Sequence, residues 1–598
     1  MKTIRQALML ALIGILPALS VAQLDSTCYE RMILKGKRAY EKEKPDFKTA
    51  INSFIVARYC PDSKKDGEVE RLINKALTAW VDTLDTALEE VDSLYKVTKL
   101  LLEDTVRFAQ ELKKQRDTAT LNSTLFYGTY VANDARSDLQ DSLLLPALMK
   151  AFHAYDTLKR TGMPIPPNVY VAFGEAVFYN FGKKLPYRHR SGVIDIGFAD
   201  TAGCFFSIGR DSALYLWNYQ MPGSSSDTLL LPSVQVKRER VVKDREHYIL
   251  AADFKKNSNN LAFGGRSNRA YILPESSSYT DSLPVRHRAA VVKVKWLPND
   301  MLLTAGRDGK VNLWDENGNF VDTIVEEERG LPFVDLQLSK DGAYALARTM
   351  RSIYYWETGR RHRVEALTAV DTMLIYSAAL SSNGKMVLAS YSNKDVKLWD
   401  NAAEVDTFKA GEAALALQFS PDDNYFLIGS SQNGFIQKCH KEANSWKAEV
   451  LSPQEGVEQF VFSEHLPYFL TTGSDYSIQI RNANGEVVII KKHKAPITSL
   501  AFSPNERDSA FISSSLDGTV NVWSVEGDLL MEMKLGSAVA KAVFTMDGNY
   551  ILAATENGEL VQVATPRYAY DKLSERKDYR FKKVEKEIKK KIDKLLDK

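Results

Sequence analysis

Residues 306–314 read GRDGKVNLW. A Gly/Asp turn leads into a short alternating run that ends on Trp314. Close copies stand at 209–217 (GRDSALYLW) and 516–523 (LDGTVNVW), each with a turn residue followed six places later by Trp. With the turn residue as anchor, nine copies follow one another at Asp211, Ser267, Asp308, Met350, Asn393, Asn433, Asp475, Asp517 and Asn557. The gaps are 56, 41, 42, 43, 40, 42, 42 and 40 residues. A nearly constant period in the low forties with strand-like patterning predicts the blades of a β-propeller. The period fixes the architecture of residues 183–565 and favours an interaction surface over an active site.

The sequence between the anchors agrees with this. Apolar runs of strand length precede each anchor, as at Val291–Trp296 and 344–347. They are rich in Val, Ile, Tyr and Phe, which suit a half-buried pleated surface. A Ser/Thr-x-Asp/Asn turn recurs between the first two strands of a blade, at 339–342, 381–384, 420–423 and 545–548. Such residues tolerate positive φ and bond locally to their own backbone. No stretch of helical period interrupts the region.

In these residues the chain resembles the WD-repeat family. A blade of that family is often knitted by a His in the entry loop, a Ser/Thr on the second strand, an Asp in the next turn and a Trp on the third strand. The set is complete three times: His189, Ser207, Asp211 and Trp217; His287, Thr304, Asp308 and Trp314; His493, Ser513, Asp517 and Trp523. The resemblance implies a buried hydrogen-bond chain along each set, with structural rather than chemical duty. Trp356 and Trp399 keep the Trp position in two further blades, whereas Leu273, Cys439, Arg481 and Val563 occupy it elsewhere. The Gly of the family's Gly-His pair is absent throughout. The expected fold is mainly β, a single WD-repeat β-propeller of about nine blades, with eight as the alternative. Residues 185–190 are expected to supply the strand that closes the ring and removes an exposed sheet edge. The wide first gap holds an insertion around Pro222-Gly223-Ser224-Ser225-Ser226.

Upstream, residues 1–22 read as an export signal. Lys2 and Arg5 precede an apolar run at 7–16, Pro17 breaks it, and Ser20-Val21-Ala22 offers small residues for cleavage before Gln23. The run is shorter than a spanning helix requires. A soluble protein is expected, periplasmic, extracellular or envelope-associated, and Gln23 suits a Bacteroidota-type Gram-negative cell. Residues 23–165 carry helical pattern. The stretch at 36–61 resembles one tetratricopeptide repeat, with Gly36, Ala39 and Tyr40 on its first helix and Ala50, Phe54 and Ala57 on its second. Cys28 and Cys60 flank this hairpin, whose antiparallel helices would bring them together; two separate thiols are the alternative. Leu77, Val81, Leu84, Leu88, Val91 and Tyr95 keep heptad spacing, for packing in a bundle or pairing as a coiled coil. Residues 166–182 are expected to be a connecting helix, and residues 566–598 a basic amphipathic one.

Composition limits the function. Of 598 residues, 44% are hydrophobic and 26% charged, with a net charge of only +2, so bulk charge does not mark a nucleic-acid binder. The charge is uneven: from Arg567 to Lys598, 13 Lys/Arg face 7 Asp/Glu, a local +6 that leaves −4 for the rest. That tail offers Phe581, Val584, Ile588, Ile592 and Leu595 as one apolar stripe, for docking, coiled-coil pairing or contact with a membrane surface. No nucleophile elbow, phosphate loop, His-Glu-x-x-His or Cys-x-x-Cys occurs, and no cofactor or metal site is expected. Just before the anchors stand Arg210, Arg266 and Arg307, and Arg348 and Arg351 flank the fourth anchor. Repeat geometry predicts a basic arc on one face, suited to carboxylates or phosphates of a partner protein; ordinary solvated turn arginines are the alternative. The expected function is a non-catalytic protein–protein interaction scaffold. The alternatives are a ligand sensor or enzyme with a site in the central channel, and an envelope-surface protein tethered by its basic tail.

Overall fold

The computed structural model describes residues 28–575 and 586, apart from 43–44, 59, 61–65, 86–90, 200–203, 221–234, 241–247, 275–282, 361–362, 368–372, 411–412, 431–434, 444, 452, 455 and 576–585. The chain forms two compact units, residues 1–127 and 128–598. The division does not coincide with the compositional breaks at 165 and 182. The signal segment, the 222–226 insertion and the apolar stripe of the tail lie outside the described residues, as do the side chains of the heptad run.

In the first unit, α1 (Cys28–Tyr40) and α2 (Phe47–Arg58) form a hairpin. Asp46 caps α2 by accepting the Thr49 N–H at 3.1 Å. Phe54 lies flat against Gly36, where a Cβ would come within 2.3 Å of the ring. Ala39, Ala50, Phe54 and Ala57 are buried together, and Val69, Ile73 and Ala76 of α3 (Asp66–Asp85) complete this core. A single hairpin cannot cover its own apolar face, and α3 supplies the cover. Cys28 and Cys60 are disulfide-bonded, with Cα atoms 5.6 Å apart.

The second unit takes the C-terminal part of α4 (Val91–Gln140), then α5 (Leu144–Arg160) and α6 (Pro167–Phe181). Pro167 opens α6 at its first position, where a missing N–H costs nothing. Lys150 sits between Asp134 and Asp138 at 2.7 and 2.6 Å and ties α5 to α4. Beyond α6 come nine four-stranded antiparallel sheets, and the reading of nine blades holds. Blades 1 to 8 cover residues 193–240, 249–286, 291–326, 335–366, 375–409, 414–451, 457–492 and 497–534, each with its strands in chain order.

Blade 9 joins the two ends of the ring: Val539–Phe544, Tyr550–Thr555 and Leu560–Ala564 pair in order, and Lys183–Lys184 adds the fourth strand. The closing strand is therefore shorter and earlier than residues 185–190. Leu185 and His189 each donate one more backbone bond, to Leu560 O at 2.8 Å and Gly558 O at 2.9 Å. The strand stops there because His189 is committed to blade 1. First strands pack on the first strands of neighbouring blades, as Val193–Phe198 does on Val539–Phe544, so they are innermost. Second strands lie between neighbouring sheets and are buried along their whole length in blades 1, 2, 3, 8 and 9.

The Ser/Thr-x-Asp/Asn turns form one repeated device. The hydroxyls of Ser339, Ser381, Ser420 and Thr545 donate to Asp341, Asn383, Asp422 and Asp547 at 2.6, 3.0, 2.6 and 2.6 Å. The next turn residue is left-handed: Gly342, Gly384, Asp423 and Gly548, with φ of 71°, 75°, 58° and 68°. After blade 9, Thr565 caps α7 (Pro566–Ser574). Tyr570 of α7 donates to Asp156 of α5 at 3.0 Å, and Arg567 donates to Asn549 at 2.8 Å.

Candidate interaction face

Among the described residues, the entry loops between blades and the turns between a blade's second and third strands meet at one end of the sheets. In blade 1, His189 Nδ1 lies 3.0 Å from Asp211 Oδ1 and Nε2 lies 2.8 Å from Ser207 Oγ. Trp217 Nε1 donates to the same Oγ at 2.8 Å. Blade 3 repeats the chain through His287, Asp308 (3.0 Å), Thr304 (2.6 Å) and Trp314 (2.8 Å). Blade 8 repeats it through His493, Asp517 (3.0 Å), Ser513 (2.7 Å) and Trp523 (2.9 Å).

The donors fix the proton positions. An indole N–H can only donate, so the hydroxyl accepts from Trp and gives its own proton to Nε2. The imidazole then carries its proton on Nδ1 and donates it to the carboxylate. The same carboxylate accepts the backbone N–H of the following residue, Arg190, Arg288 or Lys494, at 2.7, 2.9 and 3.0 Å. Burial pushes the Asp211 and Asp308 carboxyls up, but these bonds outweigh it and hold both below the usual range. Asp517 gains a further bond from the Thr519 hydroxyl, and is held down at about 2. Every polar group of the three sets is thus spent within its blade.

The arginines of the expected arc diverge. Arg210 pairs with Glu556 at 2.9 Å, and Glu556 stands just before the anchor of blade 9, the position that Arg210 holds in blade 1. Arg266 lies over the Tyr248 ring, 4.7 Å from its centre. Arg307 and Arg351 are exposed at their turns. Arg348 departs from the arc: it ends the strand Tyr344–Arg348, is half-buried, and donates to Ile375 O of blade 5 at 2.9 Å. Strand register aims it between blades rather than outward. Among the described residues, no group of three His, Cys, Asp or Glu side chains is placed to hold a metal ion. Among them also, no helix is long and apolar enough to cross a membrane.

Residues 281–315, 367–400 and 485–524 match the family model of the WD domain, G-beta repeat. Two of these segments contain complete His–Ser/Thr–Asp–Trp chains, and all three end at the Trp strand of a blade. The chain carries WD repeats within a nine-bladed β-propeller fold. It is 23% identical over 342 residues to the WD repeat-containing protein 26 homolog of Arabidopsis thaliana, covering 54% of this chain and 55% of that protein. It is 21% identical to the transcriptional corepressor LEUNIG_HOMOLOG of Arabidopsis thaliana, covering 46% of this chain and 35% of that protein. The chain thus spans about half the length, or less, of these curated relatives. Among solved structures it is similar to Chaetomium thermophilum Sqt1 bound to the N-terminus of the ribosomal protein L10, at 15% identity and a TM-score of 0.42, over 53% of this chain and 96% of that one.

The WD-repeat blades without a full set are held by substitutes that motif spacing missed. In blade 7, Gln454 is buried in the entry loop and bonds Thr471, which holds the hydroxyl position of the set, while its amide donates to Ser477 Oγ at 2.9 Å. The Trp position there is Arg481, fully buried, whose guanidinium donates to Gly485 O at 2.9 Å and to Gln479. Burial holds Arg481 down at about 10. Cys439 fills the Trp position of blade 6 as a buried thiol in an apolar cluster. Signals for these substitutes exist only as register, the same distance from the anchor with another residue type.

Proposed function

We propose that this chain is an exported, non-catalytic scaffold whose propeller binds partner proteins on the face that carries the entry loops and anchor turns. One observation carries the reading. The polar clusters of that face are consumed in knitting blades 1, 3 and 8, while the exposed residues at or just before the anchors change from blade to blade: Arg266, Arg307, the anchor Met350 itself (44% exposed), Leu516 (42% exposed). A rigid frame with variable outward residues is what recognition of a protein surface requires. The WD-repeat architecture supports this role, although fold alone does not assign it. The α1–α3 unit offers a second contact surface. The Cys28–Cys60 bond supports an oxidising compartment, and with the signal-like residues 1–22 it supports the periplasm or cell envelope. The test is affinity capture of the full chain from the envelope fraction with mass-spectrometric identification. Specific partners are expected and are lost on combined replacement of Arg266, Arg307 and Met350 by Ala. Capture that is unchanged in this variant removes the face from the proposal.

A further inference from the structure

The strands Arg269–Leu273 and Leu283–Arg286 of blade 2 pair so that Arg269 stands directly opposite Arg286. Side chains opposed in this way share one face of the sheet, and like charges there are destabilising. The repeat shows the usual solution at the same register position. Blade 3 opposes Lys310 to Glu326, which pair at 2.9 Å, and blade 5 opposes Asp395 to Lys409, also paired. Blade 2 alone opposes two cations at this position among the described pairs.

Three bonds gather further arginines to this place. His287 N donates to Asn268 O at 2.9 Å, which sets Arg286 and Arg288 beside Arg269. The His287–Asp308 pair and the Arg288 N–H to Asp308 bond bring Arg307, the neighbour of Asp308, to the same loop. Arg269, Arg286, Arg288 and Arg307 are exposed, and among the described residues their side chains have no carboxylate or hydrogen-bond partner. Asp308 is already spent on His287 and backbone N–H groups. Other cations of the propeller are paired with carboxylates: Lys184 with Glu559, Arg210 with Glu556, Lys295 with Asp253.

We propose that this arginine cluster at the junction of blades 2 and 3 binds a short acidic peptide segment of a partner protein. The proposal rests on the scaffold reading and names the chemistry of its partner. Guanidinium groups present planar forks of donors that match carboxylates two bonds at a time. The cluster is also short. Glu326 ends the strand Phe320–Glu326 of blade 3, Glu328 is exposed on the loop toward blade 4, and Glu556 stands on blade 9. A compact run of Glu or Asp side chains fits between these carboxylates, whereas a membrane surface or nucleic-acid backbone would extend onto them.

The probe is a fluorescein-labelled oligoglutamate peptide titrated with the full chain by anisotropy, beside oligoglutamine, phosphatidylglycerol vesicles and single-stranded DNA. Oligoglutamate is expected to bind, more weakly as salt rises. Arg269→Glu recreates the pairing of blade 5, with a carboxylate on the third strand opposite a cation on the fourth. It is expected to weaken peptide binding by about tenfold or more, as loss of a charge-assisted pair does, while the thermal midpoint holds or rises. Combined Arg288→Ala and Arg307→Ala, which leaves the strand pair untouched, is expected to weaken binding likewise. Equal binding of oligoglutamine overturns the proposal, as does unchanged affinity in both variants, a lowered midpoint in Arg269→Glu, or tighter binding of vesicles or DNA. Envelope partners still captured by an Arg269→Glu chain would leave the scaffold reading standing while this proposal falls.

Discussion

The Asp423 carboxylate of blade 6 accepts the backbone N–H groups of Ser382 and Asn383 in blade 5, both at 2.7 Å. Asp423 does this from a left-handed conformation, φ 58°, where the equivalent turns of blades 4, 5 and 9 place glycine. A non-glycine residue there costs about 1 kcal/mol, and the two bonds offset it. Asp423→Gly removes the backbone cost but also both charge-assisted bonds, each of about 1.5–3 kcal/mol. Chemical denaturation should show a net loss of about 2–5 kcal/mol; a neutral or stabilised variant would show that the bridge between blades contributes nothing.

The three buried Asp–His pairs give the propeller an acid limit. Asp517 sits at about 2 in the folded chain against an ordinary 3.8, so its contribution is complete above about pH 4 and fades as pH falls toward 2. The shift corresponds to about 2 kcal/mol. Asp211 and Asp308 are displaced in the same direction and add to the slope. Urea midpoints measured from pH 5 to pH 2 should fall steeply for the parent chain and less steeply for Asp517→Asn. Parallel pH curves for the two proteins would contradict the assignment.

Gly174 lets α6 lie on the edge of blade 8. A Cβ at this position would come within 2.1 Å of Leu530 O and 2.6 Å of Met531 Cα, both backbone atoms that cannot swing aside. Gly174→Ala should cost about 1–3 kcal/mol as overpacking, despite the better helix propensity of Ala. A thermal midpoint equal to that of the parent would mean that the helix shifts freely.

The Cys28–Cys60 bond closes a segment with a sequence separation of 32 residues around the α1–α2 hairpin. The chain-entropy relation gives about 4 kcal/mol for a loop of this size. In a Cys28→Ser, Cys60→Ser chain the amides of Ala50 and Phe54 should exchange with solvent much faster, while propeller amides keep their rates. Equal exchange in both proteins would show that the hairpin stands on α3 packing alone.

Much of the propeller was legible because its repeat fixes position. Each anchor from Asp211 to Asn557 marks one sheet, and each His–Ser/Thr–Asp–Trp set is bonded within its own blade. What the repeat could not convey is direction and substitution. Arg348 shares sequence proximity with the anchor Met350, yet strand pairing opposite Asp335 turns it inward. Gln454 reaches the hydroxyl position of blade 7, Thr471, as a histidine does in blade 8, but joins it to Ser477 rather than to the anchor carboxylate, and only the fold shows this. Glu556, the counter-charge of Arg210, is hundreds of residues away in sequence and adjacent only because the ring closes. The charge opposition of Arg269 and Arg286 likewise needs the register of two strands, which no spacing rule specifies.

The ring is sealed where Lys183 meets Gln562 and Lys184 meets Val561. Synthesis therefore makes the first half of the seal long before the second. Eight blades emerge from the ribosome as an open ladder whose first edge has no mate, and closure is the final folding event. A chain that stops before blade 9 leaves the packing face of blade 1 that blade 9 covers exposed, so truncated products are expected to aggregate rather than form smaller working propellers.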